Sequence, residues 1–300
     1  MQYGRQMGLT SLPEVGRSAT FERSWTSDHA LLYGLAVGAG VDPLEELAYT
    51  TENSTGIRQR VLPSFGALIN QAQLPGRLGF GDLPKGSMVY AEQTVELLNP
   101  LPPEGKAEVT AQVTGLLDKG SGALLRVSTG SVEHETGLPL VRTECSYFIR
   151  GAGGFGGERG ESASDGLPAR PADRTIRVTT RPDQALLYRL TGDRNPLHSD
   201  PRIAAKAGFD RPILHGLCTF GIVGLELVRA FCAGDETRFG RCFARFRRPV
   251  LPGDDLALET WQTDEGLRFQ LVHDRGAVLQ GGTFTYRDAD PSVPSTLGEN

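Results

Sequence analysis

The chain has 300 residues, 39% hydrophobic and 22% charged, with a formal net charge of -5. That is the composition of a globular protein with an ample core, and its acidic balance, with no Lys/Arg block, argues against a nucleic-acid partner. No uninterrupted apolar run reaches membrane-spanning length, and the opening MQYGRQMGLTSLPEVGRS lacks the apolar core of a signal peptide, so a cytoplasmic protein with no membrane attachment is expected. The four cysteines, Cys145, Cys218, Cys232 and Cys242, form no C-x-x-C pair and read as reduced thiols. The last three residues, Gly298-Glu299-Asn300, are not a peroxisomal address.

The predicted elements begin with DHALLYGLAVGAG (Asp28 to Gly40), a short helix with an acidic start and His29 facing solvent near its N-terminus. LPSFGALINQAQLP (Leu62 to Pro75) can hold only a stunted helix of about ten residues between Pro63, Gly66 and Pro75. Four strand-like runs follow: GSMVYAEQTVELLNPLP, GKAEVTAQVTGLLDKGSG, ALLRVSTGSVEHETG and PLVRTECSYFIRG. In GAGGFGGERGESASDGLPARPAD (Gly151 to Asp173), Gly, Ser, Pro and charge displace nearly all large apolar side chains. Its GAGGFG matches G-x-G-x-x-G, but no helix can follow and no βαβ alternation surrounds it, so the run reads as a linker. The second half opens with the strand TIRVTT (Thr175 to Thr180) and an irregular segment. A long buried helix is expected over Pro212 to Gly234, then four strand-like runs, RCFARFRRPV, DLALETWQTD, GLRFQLVHD and AVLQGGTFTYRD. Each half thus pairs a helix with an antiparallel sheet, an α+β layer, and the first helix is the shorter. A missing helix leaves room on the sheet, which suits a bulky apolar substrate.

The irregular segment, LTGDRNPLHSD (Leu190 to Asp200), places Asp193 and His198 five residues apart among turn formers. Taken alone, such a pair is most often structural: the acid caps a turn and the imidazole satisfies a buried neighbour. The following His215-Gly216 changes the balance, because Gly216 falls in the first turn of the expected helix, where backbone N–H groups lack acceptors and a glycine lets a ligand approach. An acid, an imidazole and an oxyanion-binding amide together suit chemistry that moves protons to and from water while charge develops on a carbonyl oxygen. His198, Asp200, His215 and Cys218 have zinc-ligand identities, but Cys218 falls on an apolar helix face and no second pair supports a metal, so none is expected. His134 and His273 have no partner in sequence and are given no role.

YRLTGDRNPLHSDPRIAAKAGFDRPILHGLCTFG (Tyr188 to Gly221) resembles the signature of the (R)-specific enoyl-CoA hydratases, the MaoC-like dehydratases with a hotdog fold. The likeness is greatest to their two-hotdog form, which includes the hydratase domain of peroxisomal multifunctional enzymes. ARFRRPVLPGD, DKGSGALL, EQTVELLNPLPPEG and FIRGAGGFGG resemble it too, so coverage runs from about residue 20 to 287. The resemblance implies a double hotdog: residues 1–150 a first hotdog receiving the acyl chain, 151–173 the linker, and 174–300 the catalytic hotdog. It implies that Asp193 and His198 activate water, that Asn195 positions the loop, and that the Gly216 amide binds the thioester oxygen. It points to Lys119 and Phe246 for coenzyme A and the thioester. Where the family has a His-Gly pair in its first half, this chain has Tyr90-Ala91, a departure that changes that substrate contact. Arg247 and Arg248 are candidates to meet the coenzyme A phosphates, with a solvated edge as the plain alternative. The expected activity is hydration of trans-2-enoyl-CoA to (3R)-3-hydroxyacyl-CoA. The expected partners are an acyl-CoA substrate and a second copy in a homodimer, with no cofactor. A dehydratase on acyl carrier protein thioesters and a non-catalytic acyl-thioester-binding subunit are the rival functions; a metal hydrolase is the remote one.

Overall fold

The computed structural model describes residues 12–81, 83–84, 86–160 and 165–288; the C-terminal tripeptide lies outside them. Ten strands form one antiparallel sheet: β1 (Ser18–Trp25), β2 (Met88–Leu97), β3 (Gly105–Asp118), β4 (Gly122–Glu133), β5 (Pro139–Arg150), β6 (Arg174–Thr179), β7 (Phe239–Phe246), β8 (Asp255–Thr263), β9 (Gly266–His273) and β10 (Gly276–Tyr286). The helices are α1 (Ser27–Ala36), α2 (Leu47–Thr50), α3 (Gly66–Asn70), α4 (Leu74–Arg77), α5 (Gln184–Tyr188), α6 (Pro201–Lys206) and α7 (Gly216–Phe231).

The strand order is β1-β3-β4-β5-β2-β7-β10-β9-β8-β6. Counted from either edge inward, each half runs first, third, fourth, fifth, second, so the repeat expected from sequence is an exact topological one. The halves join where β2 pairs with β7, Glu92 opposite Arg245 and Val95 opposite Cys242. Alternation sets the faces: on β3, Ala107, Val109, Ala111 and Val113 are buried while Glu108, Thr110 and Gln112 point outward. All four cysteines are buried and free.

Four expectations need correction or completion. The central helix starts at Gly216, four residues after Pro212, because Ile213 and Leu214 are held extended: the Leu214 N–H bonds the Val250 carbonyl at 2.8 Å. The first-half helix is shorter still, one 3-10 turn over Pro63–Phe65 followed by the five residues of α3. α7 lies close on α1 and this turn: a Cβ at Gly221 would stand 2.5 Å from Tyr33 Oη, and one at Gly224 3.3 Å from Ser64. The edge strand β1 went unpredicted, although SATFERSW alternates and buries Phe21 and Trp25. Finally, the Gly-rich segment is tied down where it is described. The Asp118 carboxylate accepts from the N–H groups of Gly120, Gly154 and Gly156, each at 2.8 Å. Gly154 and Gly156 reach those bonds with φ of 79° and 77°, a left-handed conformation that favours glycine.

Candidate active site

The segment Tyr188–Asp200 is built from a chain of side-chain-to-backbone caps. After the 3-10 turn Arg189–Thr191, Gly192 turns the backbone at φ 136°. Asp193 Oδ1 then accepts from the Asn195 N–H at 3.0 Å, and Asn195 Oδ1 accepts from the Leu197 N–H at 3.1 Å, capping the Pro196–His198 turn. Asp200 caps α6 by accepting from the Arg202 N–H at 2.8 Å. Asx caps of this kind hold an irregular backbone in one conformation without a helix or strand.

This frame brings Asp193, His198 and His215 together, with one donor or acceptor atom of each within 4.8 Å of the others; Asp193 is exposed and both histidines are buried. His198 Nδ1 bonds the Ile213 carbonyl at 2.8 Å, and His215 Nε2 bonds the Asp193 carbonyl at 3.2 Å. A carbonyl only accepts, so each of these nitrogens carries the hydrogen, and the neutral rings present bare lone pairs at His198 Nε2 and His215 Nδ1. The two rings stack, centroids 3.8 Å apart at 28°, and Tyr188 packs 4.9 Å from His215. Burial lowers the His198 pKa against the opposing pull of the Ile213 carbonyl and Asp193. Burial, then the neighbouring His198, lowers that of His215 to about 4. Both imidazoles are therefore neutral at pH 7, and His198 Nε2 is a free proton acceptor beside a carboxylate.

Gly216 follows His215 directly as the first residue of the 16-residue α7, so its N–H has no intrahelical acceptor and lies at the positive end of the helix. A Cβ there would stand 3.4 Å from the Phe246 ring. Phe246 in turn faces Tyr90 edge-on at 6.4 Å, and Tyr90 packs on Tyr147 at 4.8 Å and accepts its hydroxyl hydrogen bond at 3.2 Å. Burial, Cys145 and Asp193 keep the Tyr90 hydroxyl protonated well above its usual range. Asp193, His198, Gly216, Phe246 and Tyr90 thus form one run of neighbours, with Tyr90 and Phe246 on the paired strands β2 and β7. Ala91 sits beside it at a register shift between β2 and β5.

Of the remaining sequence candidates, Lys119 and Arg247 are engaged with other partners and Arg248 is exposed. The Lys119 ammonium donates to the Arg159 carbonyl of the Gly-rich segment. Arg247 bonds Gln280 Oε1 at 2.8 Å and pairs with Asp165 at 3.8 Å. Arg248 is exposed, and its side chain has no partner among the described residues. His215 and Tyr188 are the contributors that sequence reasoning left off the site: His215 was weighed as the neighbour of Gly216 and among the zinc-ligand identities, and the expected helix start hid its capping position.

A carboxylate and two imidazoles are also a metal-ligand set. Their geometry fits an ion poorly. Each ring already donates one N–H to a carbonyl, and stacked rings aim their remaining in-plane lone pairs along separate planes instead of at one point. Of the other zinc candidates, Cys218 turns its thiol to the Ala36 carbonyl at 3.5 Å and Asp200 is occupied with its cap.

Comparison with known proteins accounts for both halves. Residues 164–280 match the MaoC like domain, and residues 24–151 match the MFE-2 hydratase 2 N-terminal domain. The chain is 40% identical over 287 residues to 3-hydroxyacyl-thioester dehydratase Y of Mycobacterium tuberculosis, covering 92% of this chain and 97% of that one. It is 40% identical over 269 residues to enoyl-CoA hydratase ChsH3 of the same organism, covering 87% and 92%. The crystal structure of a MaoC-like dehydratase from Phytophthora capsici superposes with a TM-score of 0.80 at 30% identity, over 92% of this chain and 97% of that one. The expectation of a cytoplasmic location is overturned: several relatives are peroxisomal by name, among them the multifunctional enzymes type 2 of mouse and fly and enoyl-CoA hydratase 2 of Arabidopsis thaliana. Composition and charge did not separate those compartments, since both accommodate the same acidic, cysteine-poor fold. No helix among the described residues is long and apolar enough to cross a membrane. With its two matched halves, its continuous repeated sheet and relatives aligned from end to end, the chain belongs to the MaoC-like, double-hotdog hydratases.

Proposed function

We propose that the protein reversibly adds water to trans-2-enoyl-CoA, giving (3R)-3-hydroxyacyl-CoA. The observation that carries this reading is the bare His198 Nε2 held beside the Asp193 carboxylate, next to the free amide of Gly216. A water between them donates one hydrogen to the carboxylate and one to the imidazole, which leaves an oxygen lone pair directed at C3. As the C3–O bond forms, one proton passes to the pair, the alkene electrons move to C2, and the thioester oxygen takes up enolate charge. The Gly216 N–H stabilises that oxygen; removing one such donor costs about 10²- to 10³-fold in rate. The pair then returns a proton to C2 on the same face, so the site is restored and addition is syn. Proton transfer belongs to Asp193 and His198 as a unit.

In the same reading, residues 1–150 receive the acyl chain, 151–173 connect the halves, and 174–300 carry the chemistry. Tyr90 and Phe246 wall the thioester, Ala91 replaces the family's glycine beside it, and Arg248 is the cation left available for coenzyme A phosphate, with Lys119 and Arg247 close to the Gly-rich segment. A second reading is removal of water from a carrier-protein thioester; the relative named a 3-hydroxyacyl-thioester dehydratase is compatible with it, since that name specifies a thioester and not its thiol. The chain already joins two hotdog units through β2 and β7, so the proposed homodimer uses a different surface. The test is ultraviolet loss of the enoyl-thioester band with crotonyl-CoA and chiral analysis of the product. Hydration to the 3R alcohol supports the proposal; no hydration of coenzyme A esters alongside turnover of carrier-protein esters moves the function to the second reading.

A further inference from the structure

Resting on that reading, the geometry points to a second recognition site for the far end of the substrate, selective for an acyl tail that ends in a carboxylate. On the inner face of β1, Phe21, Arg23 and Trp25 alternate toward the helices. Arg23 lines a shallow groove with Trp25, Phe65, Leu68, Ile69 and Thr191. Thr191 precedes Asp193 by two residues, so the groove borders the loop that carries the candidate catalytic pair. Its volume is about 20 Å³, room for an end group and not for a chain.

Arg23 is half-buried, and its guanidinium makes no hydrogen bond or ion pair with any described residue. Burial and the nearby charge of Arg77 both weaken its hold on its proton. Arg77 itself lies 4.0 Å over the Phe21 ring and donates to the Ala72 carbonyl at 2.9 Å, and no ion pair joins it to an acid among the described residues. Two neighbouring guanidinium groups without a carboxylate, one of them partly desolvated over an apolar floor, are an uncompensated cost in an otherwise acidic protein. A planar anion accepting two N–H bonds offsets that cost, and a carboxylate matches the guanidinium fork.

The position separates this anion from coenzyme A. Arg23 pairs across the ladder with Ala107 near the start of β3, whereas Asp118 and Lys119 lie at its other end, roughly 35 Å away at the usual strand rise. A thioester with its oxygen on Gly216 and C3 at Asp193 and His198 therefore runs its tail past Thr191 toward Arg23.

The test uses trans-2-enoyl-CoA substrates of increasing length, each made as a methyl-ended and a carboxylate-ended twin, with wild type and Arg23→Met. The expected result is a preference of about tenfold or more in kcat/KM for the carboxylate twin at one or more lengths. Arg23→Met abolishes that preference while leaving crotonyl-CoA turnover and Tm unchanged. Calorimetric binding of the saturated twins and of free coenzyme A reads the same site without turnover. If crotonyl-CoA is not hydrated, the hydratase reading fails by itself, and the twins' dissociation constants still decide this proposal. Equal affinity of the twins at every length overturns it, as does weaker binding of free coenzyme A to Arg23→Met, which would assign the anion to a coenzyme phosphate.

Discussion

Acid charges His215, and the structure sets the stability that this removes. The ring is 1% exposed, its Nδ1 has no hydrogen-bond partner, and the His198 ring is stacked 3.8 Å away. Burial first, then the His198 charge, brings its pKa from 6.5 to about 4. A histidine with a depressed folded pKa binds its proton more readily in the unfolded chain. Its contribution is fully present above the unfolded pKa and is lost as pH falls from about 6.5 toward 4. Between about pH 7.5 and about pH 5 the loss is about 2 kcal/mol. His215→Gln keeps a side-chain N–H for the Asp193 carbonyl and removes the titration, while His198 and the carboxylates titrate in both proteins. Urea unfolding at the two pH values is expected to show a pH-induced loss smaller by about 2 kcal/mol in the variant. An equal loss in both proteins, or a His215 NMR titration near the ordinary histidine value, refutes the account of a neutral, desolvated stack.

Gly216→Ala keeps Tm, because its Cβ stops 3.4 Å from Phe246, but crowds the thioester at the amide; kcat/KM for crotonyl-CoA is expected to fall about 100-fold, and full activity would exclude Gly216 as the oxyanion donor. Gly221→Ala puts a Cβ 2.5 Å from Tyr33 Oη where α7 meets α1, and chemical denaturation should show a loss of about 1–3 kcal/mol. Asp118→Asn halves the acceptors facing the N–H groups of Gly120, Gly154 and Gly156, so hydrogen exchange at residues 151–156 should quicken while crotonyl-CoA turnover is retained.

Much of this was legible in the sequence because its signals are local. Alternation marks β3 to β5 and β8 to β10, and Gly/Ser/Pro density marks 151–173. The Asp193–His198 spacing, joined to His215-Gly216, marks the candidate catalytic loop. What escaped depends on contacts distant along the chain. Pro212 looks like a helix start, yet Leu214 is claimed by Val250 and Ile213 by His198, so α7 begins at Gly216 and His215 becomes its cap. β1 is short, polar on its outer face, and becomes a strand by pairing with β3 over eighty residues away. The Gly-rich segment reads as free linker because the acid that pins it, Asp118, lies in another element. Tyr90 is named in the sequence only by the family resemblance; the β2–β7 seam that sets it beside Phe246 is announced by no periodicity.

The central claim is that Asp193 and His198 act as one unit on a single water. Its most direct test is the crotonyl-CoA hydration rate of wild type, Asp193→Asn, His198→Gln and the double variant, all shown to be folded. Each single change is expected to cost about 10²- to 10⁴-fold in kcat, and the double variant no more than the worse single. Multiplying losses, or a single variant close to wild type, would contradict the shared-water account.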